Sequence, residues 1–175
     1  MDGLVTAPTP PCDARADRCP GDVVARWSAT LPFLLIGSIL TIAGGLVAAV
    51  TRPTGFAHGP WLAAYLVLVG GVAQIGLGTG QAWLAEKPPS RAATVVELTT
   101  WNVGIVAVII GTLVGAPIVT TIGAAASVAA IAQFLAHSRA TQHGYPRLSM
   151  LYRGISAIVL VSSPVGIALA WIRHR

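Results

Sequence analysis

Long apolar stretches separated by short polar ones are the dominant pattern along this chain. Five of these stretches are each close to the roughly 20 residues that a helix needs to cross a bilayer. The predicted spans are 28–50, 60–84, 96–115, 117–135 and 148–172. Helices are expected because lipid offers no partner to an unpaired backbone group, and the runs lack the alternation of a barrel strand. The pattern predicts an all-α, polytopic transmembrane helix bundle with five spans.

The third and fourth predicted spans are divided only by a short break. No charged residue occurs between Thr99 and Phe134, and one helix of that length would greatly exceed the thickness of a bilayer. Gly115-Ala116-Pro117 supplies a stop followed by a proline suited to the first turn of a helix. We therefore predict a tight helical hairpin. The alternative is a re-entrant element within 96–135, which would move the C-terminus to the cytoplasm.

The first 26 residues differ from the rest of the chain. They contain four prolines and four aspartates and few apolar side chains, a composition typical of disorder. The first apolar run begins roughly thirty residues in and is followed by no small-residue cleavage site, which favours an uncleaved signal anchor. The predicted organisation is a disordered cytoplasmic tail, 1–26, followed by a transmembrane bundle, 27–175.

Composition agrees with a lipid-facing surface. Only 10% of the residues are charged, 54% are hydrophobic and the mean hydropathy is +0.73, whereas a soluble domain carries about 25% charged residues. The net charge of +5 lies at the ends of the apolar segments rather than on one face, so nucleic acid is not expected as a partner. The expected partners are the lipid bilayer and other membrane subunits or further copies of the chain.

The distribution of Lys and Arg predicts the orientation. In a five-span topology eight of them fall on one side: Arg15, Arg18, Arg26, Lys87, Arg91, Arg139, Arg147 and Arg153. Three fall on the other side: Arg52, Arg173 and Arg175. Because positive loops stay in the cytoplasm, the N-terminus should be cytoplasmic and the C-terminus outside. Usage rich in Ala, Gly, Val and Arg is typical of a high-GC bacterium, so the expected location is a bacterial inner membrane.

Small residues recur at a spacing of four within the predicted spans. Gly37, Thr41 and Gly45 illustrate the pattern in the first span. This spacing puts them on one helix face, where backbones can approach closely. Ordinary packing within the bundle explains such a face, and a dimer face or a lined pore is the functional alternative.

Polar side chains inside or beside the apolar segments form the candidate site, because each is costly in lipid and usually faces the interior. Gln74 and Gln81 are seven residues apart and share a helix face, and Arg153 could pair with Glu97. The predicted polar cluster consists of Gln74, Gln81, Glu97, Asn102, Gln133, His137 and Arg153. All but Gln74 should lie near the cytoplasmic membrane surface. The cluster is either interhelical glue or a binding or proton-handling site.

The sequence gives no pattern for a metal, a cofactor or catalysis. Cys12 and Cys19 have no further Cys or nearby His to complete a zinc site. Two of the four histidines are expected toward the outside and two toward the cytoplasm, so no two could share a haem in the middle of the membrane. Ser162, inside the fifth span, has no neighbouring base to activate it. We therefore expect no metal, no cofactor and no catalytic residues. A redox role of the two thiols is a weaker alternative.

These observations favour a non-enzymatic, multi-pass inner-membrane protein that serves as an accessory or structural component of a membrane complex. The alternative is a small transporter or channel that acts as a homo-oligomer, with the polar cluster at its cytoplasmic side. The two differ in a measurable way, since a transporter would move a solute when reconstituted alone.

Overall fold

A computed structural model describes residues 20–85 and 89–137, together with Met150 and Gly154. Its elements are helical: α1 (Pro20–Thr54), α2 (Gly59–Tyr65), a π-helical segment (Leu66–Ala73), α3 (Gln74–Leu84), α4 (Arg91–Leu113) and α5 (Pro117–His137). Four helices in this part of the chain are long and apolar enough to cross a membrane. The all-helical, membrane-spanning class is thus supported. Apart from Met150 and Gly154, the fifth predicted span lies outside the described residues. So does most of the predicted tail, including both cysteines.

The first helix, α1, is longer than the apolar run that predicted it. It begins at Pro20 rather than near residue 28, so 20–26 of the predicted tail is helical. Proline suits the first turn of a helix, and the acidic Asp22 in that turn complements the positive end of the helix dipole. Its 35 residues correspond to about 50 Å at 1.5 Å per residue. The hydropathy pattern marked only the lipid-facing part of this helix.

The second long helix, Gly59–Leu84, is continuous but not uniform. Pro60 lies in its first turn, and its bounds agree within one residue with the predicted span 60–84. Its middle, Leu66–Ala73, is π-helical, a wide form that is rare and frequently found at functional sites. Regular α-helix resumes at Gln74.

The turn between α4 and α5 confirms the predicted break into two helices. The backbone N–H of Ala116 donates to the carbonyl of Gly111 over 2.8 Å, which is the long bond of a Schellman motif. That motif needs a left-handed residue, and Gly115 has a φ of +67°. At the opposite end of α4, the Ser90 hydroxyl caps the helix by accepting from the N–H of Ala93 over 3.2 Å. This cap starts α4 at Arg91, five residues before the predicted bound.

Close backbone contacts hold the helices together in two antiparallel pairs. In the first pair, a Cβ added at Gly44 of α1 would lie 2.7 Å from a methyl group of Val67 and 2.9 Å from the carbonyl oxygen of Ala63. The predicted small-residue face is correct for Gly37 but wrong for Gly45, which has open space around its Cα. The helical period of 3.6 residues explains the shift, because a face drifts off a strict spacing of four. The second pair, α4 and α5, approaches through these residues: Gly104, Gly111, Gly123 and Ser127.

Aromatic side chains join the two helix pairs. Phe33 of α1, Trp101 of α4 and Phe134 of α5 are almost completely buried and share one cluster with Leu77 of α3. Trp101 lies near the start of the predicted span 96–115, a position at which tryptophan commonly lies in a membrane interface. The structure places it in the core instead, since α4 begins earlier than the apolar run and carries this residue inward.

Candidate functional site

Gln81 of α3 and Glu97 of α4 form a buried hydrogen bond between the two helix pairs. The Nε2 atom of Gln81 donates to Oε1 of Glu97 over 2.9 Å. Each residue is only 1% exposed. Both were predicted members of the polar cluster, and the structure brings them together. A Gln amide and a carboxylate form a directional contact that fixes the register of the two helices.

Arg26 is a third buried polar residue at the same end of the bundle, and it is 1% exposed. One terminal guanidinium nitrogen donates to the carbonyl of Ala82 over 2.7 Å and to that of Ala85 over 2.9 Å. The last carbonyls of a helix have no partner within it and carry its negative dipole end. A fixed positive charge from α1 therefore caps the end of α3. We call Arg26, Gln81 and Glu97 the polar layer.

Sequence reasoning missed Arg26 as a site residue because the prediction ended the tail there. A usable signal was present in the sequence. Arg26, Thr30, Phe33 and Gly37 follow one another at spacings of four, three and four, which continues the packed face of α1 back into the tail. Thr30 is itself buried, and its hydroxyl donates to the carbonyl of Arg26 over 2.9 Å.

An aromatic layer lies on the inner side of the polar layer. It consists of Phe33, Trp101 and Phe134. The ring centroids of Phe33 and Phe134 are 5.6 Å apart, and those of Trp101 and Phe134 are 6.5 Å apart, both in edge-on geometry. Such edge-to-face pairs are a favourable arrangement of aromatic rings. Because Trp101 follows Glu97 by one helical turn, the aromatic rings separate the polar layer from the deeper part of the bundle.

Gln74 lies beyond the aromatic layer, about 10 Å from Gln81 along the second long helix at 1.5 Å per residue. Its side chain is 0% exposed. Neither amide atom has a hydrogen-bond partner among the described residues, and the same holds for the indole nitrogen of Trp101. Gln74 is also the first residue of α3, directly after the π-helical segment. A buried amide at such a position is a candidate for ligand contact.

Two of the remaining predicted members of the polar cluster, Asn102 and Gln133, make no hydrogen bond to the polar layer in the described part of the chain. Asn102 lies on another face of α4, and its amide donates to the carbonyl of Leu98 in its own helix over 2.8 Å. Gln133 is half-buried beside Phe134. His137 is the last residue of α5, and its side chain and Arg153 lie outside the described part. The predicted pairing of Glu97 with Arg153 therefore stays a prediction.

Asn102 instead lines a shallow apolar groove on the outer surface. The groove is lined, besides Asn102, by Val103, Val106, Ala107, Ile110 and Val119. Its walls come from α4 and α5 and carry hydrocarbon side chains. Such a surface suits lipid chains or another helix rather than a charged solute.

Comparisons with protein-family models, with curated proteins and with solved structures give no match. The functional argument therefore starts from the geometry of this chain. That geometry combines a polar layer that ties three helices together, an aromatic layer beneath it and one deeper buried amide.

Proposed function

We propose that this chain is a non-enzymatic, multi-pass protein of a bacterial inner membrane that acts as an accessory or structural component of a membrane complex. The observation that carries the proposal is the direction of the buried polar groups. Arg26 bonds to Ala82 and Ala85, and Gln81 bonds to Glu97, so each donor is directed at a neighbouring helix. Polar groups used in this way hold membrane helices together.

The outward faces of the helices support the same proposal. Each long helix exposes large apolar side chains, for example Ile42 of α1, Leu68 of the second long helix, Val106 of α4 and Ile122 of α5. Where lipid is the solvent, apolar faces associate through packing rather than through exclusion of water. A partner subunit would therefore recognise shape on one of these faces.

The proposed topology has five spans, a cytoplasmic N-terminus and an external C-terminus. It rests on the excess of Lys and Arg at one set of loops. The antiparallel order of the described helices supports alternation of the loops between the two sides. The N-terminal ends of α1 and α4, which carry Arg26 and Arg91, would then face the cytoplasm. The turn at Gly115 would face outward.

Site-specific photo-crosslinking in the native membrane tests the accessory role. A photoreactive amino acid is placed singly at Ile42, Leu68, Val106 and Ile122, one exposed position on each helix. Association with a defined subunit predicts a single crosslinked product at one or two adjacent faces and none at the others. The uncrosslinked faces serve as matched controls, because all four positions are apolar and more than half exposed. Mass spectrometry of the product identifies the partner and hence the process.

Two results would contradict the accessory role. Crosslinking at none of the four faces, with the protein inserted and folded, would mean that no subunit packs against them. Crosslinking only to a second copy of the chain would favour the homo-oligomeric alternative. In both cases the purified protein should next be assayed alone for solute movement in liposomes.

A small transporter or channel is the second candidate function, and Gln74 is the observation that favours it. A buried amide without a partner among the described residues, placed at the end of a π-helical segment, is unusual for a purely structural helix. In this alternative the predicted cluster would line the cytoplasmic side of a pathway. Reconstituted protein should then move a solute, and Gln74→Leu should reduce that flux while leaving folding intact.

A further inference from the structure

We propose that Gln74 and Trp101 form a buried binding site for ordered water in the interior of the bundle. Gln74 is 0% exposed and Trp101 is 1% exposed. Three polar atoms of these two residues, the amide Nε2 and Oε1 and the indole Nε1, have no hydrogen-bond partner in the described part of the chain. This inference goes beyond the accessory role, because it assigns a ligand to the interior of the protein.

The two side chains belong to one interior region. Leu77 follows Gln74 by three residues on the same face of α3 and lies in the core cluster with Trp101, and Ala73 packs against that cluster. Gln74 therefore lies in the helix between Ala73, which packs against the cluster that contains the indole, and Leu77, which belongs to that cluster. The acceptor Oε1 of Gln81, one further step along the same face, also lacks a partner among the described residues.

Chemistry selects the ligand. A primary amide offers two donors and two acceptor sites, and an indole offers one donor only. A molecule that satisfies both residues must accept from the indole N–H and from the amide N–H, and it must also donate to the amide oxygen. Water is the smallest molecule with both capacities, and buried water typically makes about three such bonds to otherwise unpaired groups.

The π-helical segment gives the site its position. Leu66–Ala73 ends at the residue before Gln74, so the change of helical twist sets the direction in which Gln74 leaves the helix. Continued α-helix would rotate the residues after it by a different angle. π-helical segments are frequent at functional sites. The segment thus turns a polar amide into the apolar interior rather than toward lipid.

Water-edited solid-state NMR of the whole protein in lipid bilayers tests the site directly. Magnetisation is transferred from water to the labelled side-chain N–H groups. We expect transfer to the Gln74 amide and the Trp101 indole, as to the exposed indole of Trp27, and none to the methyl groups of buried Ile105. Absence of transfer to both Gln74 and Trp101 would overturn the proposal, because a group of the protein would then have to satisfy them.

Gln74→Leu supplies a matched variant, since leucine is similar in size to glutamine but has no hydrogen-bonding atoms in its side chain. We expect loss of the water signal at Trp101 in this variant, with the Trp27 signal and the remaining spectrum unchanged. A Trp101 signal that persists unchanged would contradict a shared site. The wild-type measurement decides the question even if the variant fails to insert. Neither result depends on whether crosslinking finds a partner, so the two proposals can fail separately.

Discussion

The Nε2 atom of Gln81 lies 2.9 Å from Oε1 of Glu97, and this hydrogen bond joins two helix pairs that also share the core cluster containing the aromatic layer. Only 16 residues separate the two positions in sequence, with the loop between α3 and α4 connecting them. The bond therefore fixes how the second helix pair is seated on the first. The contribution of this hydrogen bond to the free energy of unfolding can be measured.

A double-mutant cycle on Gln81→Ala and Glu97→Ala should give a coupling free energy of about 0.6 kcal/mol, with an upper bound of about 1.7 kcal/mol for buried pairs in membrane bundles. A coupling is expected because each single variant removes the same hydrogen bond between Gln81 and Glu97. The measurement is unfolding in mixed micelles at increasing denaturing-detergent content. A cycle of Gln81→Ala with Asn102→Ala is the control, since Asn102 bonds within its own helix. A coupling as small as that control would contradict the bond.

Arg26→Ala should destabilise the protein by about 1.5–3 kcal/mol, the range for a hydrogen bond to a charged group. The variant leaves the carbonyls of Ala82 and Ala85 without their donor. Arg52→Ala is the matched control, because Arg52 is exposed at the opposite end of α1, and a change within about 0.5 kcal/mol is expected for it. Thermal denaturation in detergent compares the two. Equal effects would show that Arg26 acts only as a loop charge.

Gly78→Ala should disrupt the aromatic layer, because the added Cβ would meet the ring of Phe33. Overpacking of this kind costs about 1–3 kcal/mol. Gly76→Ala, in the same helix, meets nothing within 4 Å and should be neutral or slightly stabilising, since alanine favours a helix over glycine. The difference in Tm between the two variants is the readout. Phe33→Leu should partly restore the Gly78→Ala variant, and failure of that rescue would argue against the contact.

Gly44→Ala and Gly45→Ala compare two neighbouring glycines of α1. Only Gly44 approaches the second long helix, where Val67 and the carbonyl of Ala63 leave no room for a Cβ. We expect a loss of about 1–3 kcal/mol for Gly44→Ala and a change within about 0.5 kcal/mol for Gly45→Ala. Unfolding in mixed micelles measures both. The opposite order would mean that α1 is rotated about its axis.

Hydropathy and turn residues were sufficient to predict the helices of the described part. The α4–α5 turn followed from Gly115-Ala116-Pro117, because glycine tolerates the left-handed conformation and proline suits the first turn of α5. Hydropathy did not predict where α1 and α4 begin. Those starts depend on Asp22 and on the Ser90 cap, which act on backbone groups rather than on lipid.

The polar layer was predictable only in part. Gln81 and Glu97 stood out because a polar residue in an apolar run is conspicuous. Arg26 did not, because an arginine outside the run resembles an ordinary loop charge until the helix is extended to Pro20. Asn102 shows the opposite case, since an amide in an apolar run can bond to its own backbone. Sequence alone could not separate these outcomes, because they depend on the rotation of each helix.

Thiol labelling in intact cells tests most directly whether the polar layer is closed to water. It also tests whether the membrane protein has the proposed orientation. Thr94 is a buried residue of α4 that precedes Glu97 of the polar layer by three residues. Single cysteines replace Thr94, exposed Ser90 or exposed Thr54, in a chain with Cys12 and Cys19 changed to Ser. A membrane-impermeant maleimide should label the Thr54 position from outside and the Ser90 position only after permeabilisation. The Thr94 position should stay unlabelled until the protein is unfolded. Labelling of the Thr94 position as fast as the Ser90 position would reveal a water-filled entrance and contradict a closed polar layer.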